Sequence, residues 1–123
     1  MSRILVVDDE PDVAELVVLI LSKAGHEVEA VHSGRAALAR LETESYDLIV
    51  CDLVMPEVNG IAVFEAVQRR PEPRPRMVFL SGYYDAGGYE DFLSESGAPT
   101  LPKPFDFKTL PETVARVLAS GRQ

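Results

Sequence analysis

Three acidic residues directly follow an apolar stretch near the start of the chain, in the sequence ILVVDDEPD (residues 4–12). Two unit charges about 4 Å apart repel by roughly 4 kcal/mol at an effective dielectric near 20. Asp8, Asp9 and Glu10 therefore need a compensating cation if they crowd the end of a buried strand. The simpler interpretation is that these acids begin a helix, where the helix dipole favours them by about 0.3 to 1 kcal/mol and Pro11 suits the first turn. The stretch alone leaves both interpretations open.

Polar residues of complementary chemistry follow three other apolar stretches. Asp52 ends the stretch YDLIVCD, Ser81 and Gly82 follow MVFL, and Lys103 lies just beyond Leu101. Individually, Asp52 suits a turn, Ser81 a loop cap and Lys103 a solvated surface charge. Together with the first two acids near the start, they supply three carboxylates, a hydroxyl and an ammonium. Carboxylate oxygens are the ligands that Mg²⁺ prefers, commonly together with a phosphate, so the set predicts phosphoryl chemistry.

These residues can meet only if the apolar stretches before them are neighbouring strands. Five stretches are predicted to be strands: residues 4–7, 28–31, 48–51, 77–80 and a short fifth strand at residues 100–101. Continuous apolar runs of this kind are typical of strands buried on both faces of a parallel sheet. Polar residues that follow such strands share the carboxyl edge of the sheet, where these folds bind ligands.

Apolar residues with helical spacing occupy the segments between these stretches and predict five helices. The expected buried faces are, in chain order, Val13, Leu16, Val17, Ile20, Leu21 and Ala24; Ala37, Leu38 and Leu41; Ile61, Phe64 and Val67; Tyr89, Phe92 and Leu93; and Leu110, Val114, Val117 and Leu118. The fourth face is small, so the fourth helix, after Gly87 and Gly88, is expected to be the least stable.

Glycine and capping residues mark where several of these helices should begin and end. Gly25 is expected to end the first helix, while Ser33 and Asn59 are expected to cap the second and third. Thr109 and Glu112 have the spacing of a capping box for the fifth. Alternating strands and helices predict an α/β fold, a doubly wound five-stranded parallel sheet with helices on both faces.

The composition is that of one globular domain, expected to span residues 1–123. The formal net charge of −8, from 12 basic and 20 acidic residues, argues against binding to nucleic acid. No stretch approaches the roughly 20 apolar residues that span a bilayer, and no leader peptide is evident, so we expect a cytoplasmic protein that does not enter membranes. The single cysteine, Cys51, lies in an apolar run and is expected to be buried and unreactive.

Four motifs give the chain a recognisable resemblance. VVDDEP, DLVMPEVNG, FLSG and PKPF occur in this order and together resemble the receiver domain of two-component response regulators over essentially the whole chain. The resemblance implies a flavodoxin-like sheet with strand order 2-1-3-4-5, for which a chemotaxis regulator of this class is a standard example. It also implies a phosphorylation-dependent signalling switch, a phosphoacceptor that assists its own phosphoryl transfer and dephosphorylation, and not an enzyme in the ordinary sense.

The resemblance implies a role for each residue at the carboxyl edge. Asp52 would accept the phosphoryl group, since a carboxylate can attack phosphorus to give a reactive acyl phosphate. Lys103 and Ser81 would contact phosphoryl oxygens, and Gly82 would leave a path for the phosphodonor. Mg²⁺ would neutralise charge on the transferring group. Its implied protein ligands are Asp9 directly, Asp8 largely through water, Asp52, and the backbone carbonyl of Val54.

The resemblance also implies partners. A histidine kinase would supply the phosphoryl group, and the chain would relay it to a protein partner or a phosphotransfer protein. A downstream protein would bind the surface formed by the fourth helix, fifth strand and fifth helix. Phosphorylation would shift the relative populations of the conformations of this surface. The chain is expected to be a monomer or a weak homodimer.

The chain departs from the family pattern at Thr100, and two nearby features bear on the resemblance. In the family, the residue at the position of Ser81 moves toward the phosphoryl group, and an aromatic residue at the position of Thr100 turns inward with it. This chain lacks that aromatic residue. Tyr83 and Tyr84 could substitute for that aromatic residue or contact a partner. The Lys103–Pro104 bond lies where the family usually has a cis peptide.

Other functional classes remain open on the sequence. A receiver-like binding module would keep the acids without being phosphorylated. A Mg²⁺-dependent aspartyl phosphohydrolase would usually place a second acid two residues after the nucleophile, where this chain has Val54. A flavin-binding flavodoxin is disfavoured, because acids replace the Ser/Thr/Gly loop that would cradle a phosphate after the first strand.

Overall fold

The computed structural model describes residues 2–82, 89–103 and 105–120. Within this part of the chain, strands and helices alternate as the sequence predicts. The strands are β1 (Arg3–Val7), β2 (Glu27–Val31), β3 (Leu48–Asp52), β4 (Arg76–Ser81) and β5 (Thr100–Pro102). The helices are α1 (Pro11–Lys23), α2 (Gly34–Thr43), α3 (Gly60–Gln68), α4 (Glu90–Ser96) and α5 (Thr109–Ala119).

The five strands form one parallel sheet in the order β2-β1-β3-β4-β5, which confirms the predicted topology. The residues of β3 are buried throughout because helices cover both faces of the sheet. Val7 pairs with Cys51, Asp52 with Leu80, and Ser81 with Pro102. This register brings the carboxyl ends of four strands to one edge, so the residues that follow them are neighbours.

Two apolar clusters separate the sheet from its helices. Leu5, Val7 and Ile49 contribute to the cluster shared with α2, α3 and α4, while Ile4 and Val50 contribute to the cluster shared with α1 and α5. Alternate residues of one strand thus enter opposite clusters, as the pleat of a strand requires. The arrangement confirms helices on both faces of a doubly wound sheet.

The buried faces of the helices are close to those expected. In α1, Val17 and Leu21 are buried as predicted, and Ala14 joins them. The expectation that Ala24 is buried was wrong: α1 ends at Lys23, and Ala24 is exposed beside Gly25, whose φ of 99° turns the chain away. In α3, Val67 is buried as predicted, and Val63, which was not predicted, is also buried. Ile61 and Phe64, which were expected to be buried, are only partly buried.

Two predicted caps are present and one is wrong. The Ser33 hydroxyl accepts a hydrogen bond from the Ala36 N–H at 3.0 Å, and Asn59 Oδ1 caps α3 in the same way. Thr109 is not a cap, because α5 already begins at this residue and Lys108 precedes it in helical conformation. The side chain of Asp106 accepts from the Lys108 N–H at 2.7 Å instead.

Helix α4 is short and weakly anchored. Its seven residues include none that are buried. Phe92 attaches it to β4 and α3 by edge contacts with the rings of Phe79 and Phe64, at centroid separations of 5.5 and 5.4 Å respectively. The predicted apolar face of this helix is therefore confirmed, while Gly87 and Gly88 lie outside the described residues.

None of the helices in the described ranges has the length and apolar character needed to span a membrane.

Candidate functional site

Three carboxylates meet at the carboxyl edge of the sheet. Asp8 and Asp9 follow β1, and Asp52 is the last residue of the neighbouring β3. One carboxylate oxygen from each lies within 4.8 Å of the other two. Asp8 is fully buried and Asp52 is 3% exposed, whereas Asp9 faces solvent. The cluster is thus closed from below by the sheet and open toward solvent through Asp9.

Lys103 supplies the cation that the carboxylates need. Its Nζ lies 3.1 Å from Asp8 Oδ2 and 3.1 Å from Asp52 Oδ2. The Lys103 backbone N–H donates to the Ser81 carbonyl at 2.8 Å, which fixes the residue at the end of β5. Burial lowers the pKa of Lys103, but its contacts with Asp8 and Asp52 outweigh burial and leave the pKa raised, so the ammonium stays charged.

Glu10 also reaches Lys103, which sequence reasoning did not find. Its Oε1 lies 3.3 Å from Lys103 Nζ. Glu10 does stand at the start of α1, but its side chain makes no capping hydrogen bond there. Its backbone N–H instead donates to Asp8 Oδ1 at 2.9 Å. The contact was not predicted because Glu10, the N-cap residue of α1, was assigned to the start of the helix and not to the site.

The carboxylates are electrostatically strained in this arrangement. Burial raises the pKa of Asp52 to about 7, the Asp8 charge adds to that increase, and Lys103 opposes it. Burial likewise raises the pKa of Asp8, while the Glu10 N–H and Lys103 lower it. Within the described ranges, the buried Asp52 Oδ1 has no hydrogen-bond partner. An acceptor oxygen left in this state favours a cation or an electrophile at this position.

Ser81 and Gly82 complete the polar rim. Ser81 ends β4, is 6% exposed, and lies one residue beyond Leu80, the register partner of Asp52. Its hydroxyl donates a long hydrogen bond, 3.4 Å, to the Gly82 carbonyl. Gly82 itself is half-buried. The structure therefore places both residues beside Asp52 with the Ser81 hydroxyl weakly engaged.

The loop between β3 and α3 is held close to Asp52. A Cβ on Gly60 would lie 2.8 Å from the Asp52 carbonyl oxygen, so close approach, and not an unusual backbone angle, requires this glycine. The Gly60 N–H closes the loop by donating to the Leu53 carbonyl at 2.9 Å. Val54 is 37% exposed within this loop.

Cys51 lies beneath the site and takes no part in its chemistry. The thiol is fully buried and donates to the Asp52 carbonyl at 3.3 Å. Burial, followed by the charges of Asp52 and Asp8, raises its pKa far above the ordinary value. A thiol in this state is a poor nucleophile, as the sequence predicted.

Thr100, which occupies the position of the expected aromatic residue, is the first residue of β5. Thr100 pairs with Phe79 in the sheet and is half-buried. Tyr83 and Tyr84, proposed as substitutes for the missing aromatic residue, lie outside the described residues, and so does Pro104.

Comparison with known proteins identifies relatives along the whole chain. The chain is 32% identical to the response regulator receiver protein CpdR of Brucella abortus over 123 residues, covering 98% of this chain and 100% of that protein. It is 35% identical to the transcriptional activator protein IrlR of Burkholderia pseudomallei, covering 98% of this chain and 52% of that protein. The chain therefore spans the length of one relative and about half the length of the other.

A solved structure extends the comparison to three dimensions. The response regulator protein TrrA of Thermotoga maritima, in complex with Mg²⁺–BeF, has a TM-score of 0.81 and 31% identity, covering 95% of this chain and 99% of that one. The family profile for the response regulator receiver domain matches residues 4–115. This match includes every residue of the carboxyl-edge site, and the chain belongs to the response regulator receiver domain family of two-component systems.

Proposed function

We propose that the chain is a phosphorylation-dependent switch in which Asp52 accepts a phosphoryl group from a histidine kinase and relays it to a protein partner or a phosphotransfer protein. The observation that carries this proposal is the buried Asp52 carboxylate, with one unpartnered oxygen among the described residues, beside two further aspartates and an ammonium. Such a set is suited to holding a phosphoryl group, because transfer depends mainly on positioning and on stabilising charge.

The residues present fit a magnesium ion. Three carboxylate oxygens lie within 4.8 Å of one another, and Asp52 Oδ1 lacks a hydrogen-bond partner within the described ranges. Asp9 would bind the ion directly and Asp8 largely through water, with Asp52 and the Val54 carbonyl as further ligands. A bound Mg²⁺ would neutralise negative charge on the phosphoryl oxygens. TrrA, whose solved structure is a complex with Mg²⁺–BeF, supports this assignment.

Asp52 and the residues around it have different roles in transfer of the phosphoryl group. An Asp52 carboxylate oxygen forms the new bond to phosphorus while the bond between phosphorus and the donor's leaving atom breaks. Lys103 exchanges part of its contact with Asp52 for a phosphoryl oxygen, and the weakly engaged Ser81 hydroxyl donates to another. Gly82 presents no side chain to the incoming donor. Because the pKa of Asp52 is raised to about 7, its reactive ionised form depends on the nearby positive charge.

The remaining assignments extend this proposal to the whole protein. Residues 1–123 form a single receiver domain located in the cytoplasm. Phosphorylation shifts the relative populations of the conformations of the weakly anchored α4. A downstream protein then binds the surface formed by α4, β5 and α5. Thr100 in β5 replaces the aromatic residue that usually moves inward on phosphorylation in this family, so the coupling between Asp52 and this surface differs from the usual one. The domain acts as a monomer or a weak homodimer.

Loss of the phosphoryl group from Asp52 is expected to be slow. Val54 is exposed beside the site and has no acid or amide that could orient an attacking water. The phosphorylated protein should therefore persist for minutes or longer, as measured by intact mass after removal of the donor. Val54→Asn should change the rate, since an amide can bind water. Decay of the unsubstituted protein within seconds would contradict this prediction.

Incubation with acetyl phosphate and Mg²⁺ distinguishes the proposed switch from other classes. The switch should gain and retain one phosphoryl group. A phosphohydrolase would release phosphate from many phosphate esters with rapid turnover, and a binding module that is not regulated by phosphorylation would gain none. Either of these two results would overturn the proposal.

A further inference from the structure

A glycine outside the phosphoacceptor site lies against the loop that carries part of it. Gly34 is the first residue of α2 and is fully packed against the loop between β3 and α3. A Cβ on Gly34 would lie 2.2 Å from the Val58 carbonyl oxygen and 2.7 Å from Val58 Cγ1. Real Cβ atoms do not approach other atoms so closely, so any side chain at this position would force the backbone of the loop or of α2 to shift.

The loop that Gly34 touches is closed on itself. The Gly60 N–H donates to the Leu53 carbonyl at 2.9 Å across its base, and the Val58 N–H donates to the Pro56 carbonyl at 2.7 Å near its tip. Glu57 lies in the left-handed region with a φ of 66°, which few residues other than glycine adopt. Because the loop is constrained at these points, a displacement of Val58 would also displace its other residues.

The outward contacts of this loop differ greatly in strength. Arg35 and Glu57 form an ion pair at 3.2 Å, but both side chains are about three-quarters exposed, so this pair adds little. The backbone contact at Gly34 is buried and has no room to relax by side-chain rotation. Packed interiors respond to such an overlap by moving backbone, here either the loop or α2.

We propose that Gly34 is a positioning residue for the phosphoacceptor site. Its lack of a side chain lets α2 set the position of loop residues 53–60, and therefore of the Val54 carbonyl next to Asp52. This inference rests on the proposed function, because it assigns Val54 to the metal site. It adds a residue of α2, which contributes nothing to the carboxyl-edge cluster, to those that determine metal affinity.

Substitution Gly34→Ala tests the proposal through Mg²⁺ binding measured by isothermal titration calorimetry. Alanine is the better helix former, so without the contact it would be neutral or favourable. With the contact, we expect the dissociation constant for Mg²⁺ to rise about tenfold. Substitution of residues that support metal ligands commonly has an effect of this size. Ser33→Ala is the matched control. It removes the α2 cap and lowers the melting temperature without touching Val58, so its Mg²⁺ affinity should stay unchanged.

A second variant approaches the same contact from the loop. Val58→Ala removes the Cγ1 atom that packs on Gly34 and introduces no overlap, so it should fold even if Gly34→Ala does not. It should weaken Mg²⁺ binding by a smaller factor and speed amide hydrogen exchange in residues 53–59. Unchanged affinity in both variants, with the original protein binding Mg²⁺, would overturn this inference alone. An original protein that binds no Mg²⁺ would overturn the metal site and this inference with it.

Discussion

Millimolar Mg²⁺ should raise the melting temperature of the protein, and Asp9→Ala should abolish most of that increase. Asp8, Asp9 and Asp52 place carboxylate oxygens within 4.8 Å of one another, with Lys103 as a nearby cation. A divalent ion would reduce their repulsion. A ligand present at 100 times its dissociation constant stabilises the folded state by about 2.7 kcal/mol, so the effect should be easy to measure by thermal unfolding.

Asp12→Ala is the matched control for this experiment. Asp12 is also an exposed acid in the first turn of α1, but it lies outside the carboxylate cluster. Its removal should leave the increase in melting temperature caused by Mg²⁺ intact. If Mg²⁺ stabilises Asp9→Ala as much as the original protein, the metal site is assigned incorrectly.

Stability without Mg²⁺ should fall as pH rises, and Asp52→Asn should remove most of this dependence. Burial raises the pKa of Asp52 from 3.8 to about 7 in the folded protein. Between these values the folded chain holds a proton that the unfolded chain has released, so the free energy of unfolding decreases with increasing pH. The Asp52 contribution is fully present below the unfolded pKa and is lost as pH passes the folded pKa. The full change corresponds to about 4 kcal/mol, at 1.36 kcal/mol per pKa unit.

Denaturant unfolding in a chelator, at about pH 5 and about pH 8, measures this dependence, since the two conditions lie on either side of the folded pKa. Asp52→Asn should be more stable than the original protein at the higher pH, because its amide carries no charge to crowd Asp8. The substitution that removes the proposed phosphoacceptor would then stabilise the fold. A steeper loss of stability with pH in Asp52→Asn than in the original protein would show that this electrostatic assignment is wrong.

The sequence predicted the sheet and its site-bearing edge because both depend on local patterns. Apolar runs such as residues 48–51 fit strands buried on both faces of a sheet, and parallel strands align their carboxyl ends. The polar residues that follow, including Asp52 and Lys103, therefore had to be neighbours. The same reasoning predicted the caps Ser33 and Asn59, whose hydrogen bonds span three residues.

Contacts set by tertiary packing were beyond this reasoning. Thr109 has the correct spacing for a cap, yet Asp106 starts the turn earlier and leaves Thr109 inside α5. Glu10 reaches Lys103 across 93 residues of sequence. Gly34 looks like an ordinary residue at the start of a helix, and only the approach of Val58 shows that a side chain there would displace its neighbours. Each of these features depends on how two elements pack and not on either element alone.

Intact-mass measurement after incubation with acetyl phosphate and Mg²⁺ tests most directly whether Asp52 is the phosphoacceptor. The original protein and the control Asp12→Ala should each gain one phosphoryl group, while Asp52→Asn should gain none. A chelator added before the donor should prevent the gain. A phosphoryl group that appears on Asp52→Asn as readily as on the original protein, or no gain by the original protein, would contradict the assignment of Asp52 as the phosphoacceptor.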